Sequence, residues 1–152
     1  MTDSVTFLSR TPRLGLPNLF AGQSQKEFFV NEAHAIIDML LQPTVAGVVD
    51  TPPAGPAEGE TWIVGDTPEA EFASHATRLA GWQGGGWLFV DPTQGMLVRD
   101  LSTGGALIYN AGWQALVPPA DPVGGTIVDT EGRLAISNII ETLRAAGVFP
   151  VK

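Results

Sequence analysis

The sequence predicts an α+β fold: a small antiparallel, hairpin-rich β-sheet body with an N-terminal helix packed on it and a linker-tethered C-terminal helix. Three observations carry this prediction. Apolar residues recur at three- and four-residue spacing in two stretches, residues 29–41 and 134–143. Between them, residues 44–115 break into short β-branched and aromatic runs punctuated by glycine, proline and aspartate. The chain has 152 residues with 18 glycines and 12 prolines, yet it is only 16% charged, where ordinary domains run near about 25%. Four segments follow: an extended N-terminal arm (1–22), a helix plus antiparallel sheet domain (23–117), a Pro/Gly linker (118–128), and a C-terminal helix and tail (129–152).

The arm mixes Pro12, Gly15, Pro17 and Gly22 with single apolar residues, a texture that is neither helical nor alternating. Phe7, Leu8, Leu14, Leu16 and Phe20 are costly to leave in water, so the arm is expected to pack on its own domain or on a neighbour. Ser24 and Glu27 form a capping box that starts the first helix, and Pro43 stops it. Phe29, Ala33, Ile36, Ile37, Leu40 and Leu41 make the helix's apolar stripe, with Glu27, Asn31, His34 and Asp38 on a solvated opposite face. Strands are expected over residues 44–49, 61–64, 77–82, 87–90, 96–99, 106–109 and 113–117. Gly84-Gly85-Gly86 and Asn110-Ala111-Gly112 supply the turn conformations of two tight hairpins, and three prolines stiffen the loop over residues 50–60. After the linker, Asp129 or Thr130 caps a second helix that Gly147 ends. Its stripe of Leu134, Ile136, Ile139, Ile140 and Leu143 approximates heptad spacing, so it either folds back or packs against copies of itself.

A net charge of −8, with Lys26 and Lys152 as the only lysines, argues against nucleic acid and acidic membranes as partners. The absence of cysteine excludes disulfides and thiol chemistry. No leader pattern opens the chain and no apolar run reaches spanning length, so the expectation is a protein made in the cytoplasm without a secretory signal.

Enzyme chemistry finds little footing. His34 lies one turn from Asp38, which reads as ordinary helix-surface pairing, and His75 sits directly beside Ser74, where adjacent side chains diverge and rarely form a nucleophile and its base. Gly84 to Gly86 precede Trp87 rather than a phosphate-binding lysine, and the acid pairs Glu58/Glu60 and Glu69/Glu71 sit in loops. The chain is expected to be no enzyme, with no catalytic residues, no cofactor and no metal. Trp62 reads as core, whereas Trp82, Trp87, Tyr109 and Trp113 offer aromatic faces that can stack on sugars.

Leu14-Gly15-Leu16-Pro17, Ala21-Gly22-Gln23, Asn31-Glu32-Ala33, Pro52-Pro53-Ala54, Glu58-Gly59-Glu60, Trp62-Ile63-Val64-Gly65, Ala80-Gly81-Trp82, Gly85-Gly86-Trp87 and Gly112-Trp113 occur in a fixed order. On these motifs the chain resembles a domain-of-unknown-function family of alphaproteobacterial prophage and gene transfer agent structural proteins. The resemblance covers about residues 12–115, and Gly124-Gly125 through Gly147 resemble the helical tail that often follows. It implies a virion structural role, similar to a head spike base at a capsid vertex that holds a separate fibre and supports attachment to the host cell. The chain ends soon after the tail helix, as a base or adaptor without its fibre would. The implied partners are other copies of the chain, as pentamer or trimer, together with a capsid protein and a spike or fibre protein. The expected contacts between copies or with partners are Phe7, Leu8, Leu14, Leu16, Phe20, Ile136, Ile139, Ile140 and Leu143. The alternative is a carbohydrate-binding module for host capsule or lipopolysaccharide, stacking glycans on Trp82, Trp87, Tyr109 and Trp113.

Overall fold

A computed structural model describes residues 9–14, 16–19 and 26–151; at Lys26 and Glu27 it describes the backbone alone. Phe7, Leu8, Phe20 and the capping box of Ser24 and Glu27 lie outside what is described. The fold is α+β, with two helices and eight strands in two sheets among the described residues.

Helix α1 spans Lys26–Leu40. The face it turns inward differs from the one its periodicity suggests. Ala35, Asp38 and Met39 are buried, while Phe29 is 72% and Leu41 67% exposed. Met39 belongs to the core, and Leu40 is partly buried against it. Periodicity finds a stripe but does not say what covers it, and here the strongest stripe is the outer one.

Asp38, read as solvated, is only 1% exposed. Its carboxylate accepts the Thr11 hydroxyl at 2.8 Å, the Arg13 N–H at 2.9 Å and the Leu14 N–H. The arm is also less extended than its composition suggests. It doubles back through an antiparallel bridge between Arg10 and Pro17, with Thr11 N–H donating to the Leu16 carbonyl. The Arg13 guanidinium then donates to the carbonyls of Asp38, Met39 and Gln42. These are carbonyls that a helix end leaves without internal partners, so Arg13 closes α1 where Pro43 stops it.

The strands are β1 (Thr44–Val45), β2 (Val48–Val49), β3 (Thr61–Val64), β4 (Leu79–Gln83), β5 (Gly86–Val90), β6 (Leu97–Asp100), β7 (Ala106–Tyr109) and β8 (Trp113–Ala115). They form one sheet of order β1-β6-β7-β8 and another of order β2-β3-β4-β5. Each is an antiparallel meander with a two-residue parallel strand on one edge, Thr44 beside Arg99 and Val48 beside Ile63. The single run expected over residues 44–49 therefore serves both sheets. Its two halves are too short for alternation to reveal that they are separate strands. The β4–β5 turn places Gly84 and Gly85 at φ of 63° and 79°, the left-handed pair that a two-residue hairpin loop needs.

Val45, Ile63, Leu79, Val98 and Leu107, drawn from both sheets, enclose Met39. Trp113 packs on this core and donates its Nε1–H to the Thr77 carbonyl at 2.8 Å. A second cluster of Val64, Phe72 and Ala80 lies under the short helical turn Ala70–Phe72.

Helix α2 spans Thr130–Ala145, with Asp129 as N-cap accepting the Gly132 N–H. Gly147 follows it at φ 73°. The linker is not its only attachment. Beyond Gly147 the chain returns to the first sheet, where Ala106 N–H donates to the Val148 carbonyl and Val151 N–H to the Thr103 carbonyl.

Candidate functional site

Among the described residues, no group of three or more acidic or histidine side chains is placed to hold a metal ion. No helix among them is long and apolar enough to cross a membrane. The described surface carries two apolar helical faces and one mixed groove.

The first face is the outer stripe of α1. Phe28, Phe29, Ile37 and Leu41 are exposed, and Ile36, Ile37, Leu40 and Leu41 line a shallow apolar groove of about 260 Å³. Glu32 is exposed on the same side, four residues from both Phe28 and Ile36. The spacing points Phe29, Ile37 and Leu41 at the sheet, whereas they stand outside it.

The second face is on α2. Ile140 is 4% exposed and turned into the chain, while Ile139 is 59% and Ile136 43% exposed; Leu143 is half-buried. The expected contact set thus divides. Ile140 holds the helix to its own chain, and Ile136, Ile139 and Leu143 form an outward seam at alternating three- and four-residue spacing. The helix carries two glutamates and two arginines, balanced in sign. Leu14 and Leu16, the described apolar members of the arm, lie beside Asp38 and Thr11, where the arm docks on its own helix.

The four aromatic residues do not form one platform. Trp82 and Trp87 face each other across β4 and β5, with ring centroids 5.1 Å apart and planes at 67°. Tyr109 and Trp113 do the same across β7 and β8 in the other sheet, at 5.3 Å and 64°. Trp113 is committed to the core. Trp87 sits edge-on to Phe72 at 4.9 Å and donates its Nε1–H to Glu71. Trp62, expected in the core, is half-buried with its Nε1 unpartnered.

The mixed groove, about 690 Å³, lies between the N-terminal half of α1, the arm and the β4–β5 hairpin. Asn18, Phe28, Glu32 and Gln83 line it, and Gly84 to Gly86 form part of its wall; the Trp87 side chain lies on the other face of the hairpin, against Phe72. Asn31, on the same wall, is occupied in holding the arm: it accepts the Leu19 N–H at 2.9 Å and donates to the Leu19 carbonyl at 3.1 Å. Phe28, Glu32 and Gln83 come together only through tertiary folding.

His75 stacks on Phe89 with centroids 3.7 Å apart, and its Nδ1 lies 3.2 Å from Arg78. Arg78 also pairs with Asp91 at 2.6 Å. His75 is held as a packing residue of the loop before β4. His34 is half-buried with its Nδ1 unpartnered.

The characteristic pattern of a family described as a protein of unknown function (DUF2793) matches residues 30–114, and the chain belongs to that family. The matched stretch runs from α1 to β8, so it takes in both sheets and leaves α2 outside. No curated protein matches the chain.

Proposed function

We propose that this protein is a structural component of a phage-like particle of the gene transfer agent or prophage kind. In this reading it is the base or adaptor of a head spike or fibre, joining the fibre to the capsid and so supporting attachment to the host cell. The observation that carries the reading is the outer stripe of α1, where Phe29 and Leu41 stand more than half exposed on a helix whose inner face is already complete. Contiguous apolar surface of this kind marks a place where another protein sits.

Its action is passive and needs no cofactor. The arm and Arg13 fix α1 on the sheets, which act as a platform; the α1 stripe meets a neighbouring protein of the particle, and the α2 seam joins copies of the chain. Self-association of a closed, symmetric kind places the same patch of every copy in contact. The particle would be assembled inside the bacterium and the protein carried on it. Imaging of particles made with and without this protein tests the reading: loss of a vertex projection with the head intact supports it, and an unchanged outline rejects it.

A further inference from the structure

We infer that the outer edge of β5 takes up an extended segment of a partner protein as an added strand, with a lysine or arginine of that segment set against Glu32. β5 is the last strand of its sheet, and among the described residues no strand lies beyond it. Which of its backbone groups face outward follows from β4. The Trp82 N–H donates to the Glu60 carbonyl and the Trp82 carbonyl accepts the Gly59 N–H, so the Trp82 backbone is turned away from Trp87, its register partner in β5. Antiparallel pairs alternate between hydrogen-bonded and non-bonded. Trp87 and Phe89, opposite Trp82 and Ala80, therefore direct both N–H and C=O off the sheet edge, while Leu88, opposite Gly81, bonds inward. Edge strands are commonly guarded against pairing by lysine, proline or an inward-pointing charge. The stretch Gly86–Val90 holds none of these.

The surroundings of the edge select the strand that fits. The groove of about 690 Å³ beside the N-terminal half of α1 is lined by the hairpin from Gly84 to Leu88. Side chains alternate across a sheet, so an added strand sends every second one into this groove, toward Phe28, Ala35 and Leu88. The others fall beside Trp87 and Phe89 on the opposite face. Among the described residues lining the groove, Glu32 alone is ionisable, and the chain carries −8. A basic residue at a groove-facing position is thus favoured and an acidic one repelled. Backbone pairing supplies the affinity, and the groove supplies the selectivity through alternate side chains.

The test selects short random peptides from a displayed library on the full-length chain, then follows the strongest peptide by NMR. Enriched peptides should carry lysine or arginine at one of their alternate positions. On binding, the Trp87 and Phe89 amide hydrogens should gain about tenfold or more protection from exchange, and the already bonded Leu88 amide should not. N-methylation at every second peptide residue should weaken binding about tenfold, and at the intervening residues hardly at all, as loss of a hydrogen bond implies. Glu32→Lys, at an exposed position, should weaken it about fivefold with the unbound spectrum otherwise unchanged. Failure to enrich any peptide, shifts confined to the outer stripe of α1, an N-methyl scan without alternation, or full affinity in Glu32→Lys overturns the inference. Protection of Trp87 and Phe89 in the peptide-free chain does so equally, whether it grows with concentration, as two copies paired through β5 would make it, or does not, as the chain's own N-terminal residues would. None of these outcomes bears on whether the chain assembles through its helices.

Discussion

The Sδ of Met39 lies 2.7 Å from where a Cβ on Gly81 would stand, so the Met39 side chain occupies the space that a larger residue at position 81 would need. The contact fixes which face of the helix turns inward, and with it which face is left for a partner. Gly81→Ala should lower stability by about 1–3 kcal/mol through overpacking. In a Met39→Ala background the same change should cost at least about 1 kcal/mol less, because the clashing sulfur is gone. Urea denaturation of the four chains measures both effects.

The Asp38 carboxylate is the anchor of the arm. Asp38→Ala removes the acceptor of the Thr11 hydroxyl and of two backbone N–H groups, and should cost about 3 kcal/mol or more. Amide hydrogens of Arg13 and Leu14 should exchange much faster in the variant. Thr11→Val, which removes one of the three donors, should cost about 1 kcal/mol.

Trp113 should behave as a structural residue. Trp113→Phe loses the hydrogen bond to the Thr77 carbonyl and should cost about 1–2 kcal/mol, while Trp113→Ala should cost about 3–5 kcal/mol. Urea denaturation measures both losses.

Much of the sheet body was legible in the sequence because local chemistry decides it. The run at residues 61–64 is β-branched and aromatic, and glycine pairs can occupy the β4–β5 turn with no steric cost. The orientation of α1 was not legible. Phe29, Ile37 and Leu41 outrank Ala35 and Met39 in apolarity, so spacing alone assigns them to the core, and Asp38 resembles any solvated helix acid. What reverses this is contact with Thr11, Arg13 and Gly81, each far away in sequence. The return of residues 148–151 to the first sheet follows the same rule, since nothing local marks Val148 as a partner of Ala106. The groove was not legible, since Glu32 and Gln83 come together only by being folded onto opposite walls.

Exposed apolar residues on α1 can be exchanged with little effect on the fold. Phe29→Ser and Leu41→Ser should each change unfolding free energy by no more than about 0.5 kcal/mol. Both should reduce incorporation into particles, quantified by immunoblot of purified particles against capsid protein.

The central claim is that the outward helical faces are contacts between subunits. Light scattering coupled to size exclusion tests it most directly, on the wild-type chain and on the double variant Ile136→Ser, Ile139→Ser. The wild type should have a mass that is a whole multiple of 16.0 kDa, and the variant should fall to a folded species of one chain. A wild-type chain that stays at 16.0 kDa across the accessible concentration range, or a variant that assembles as the wild type does, would contradict it.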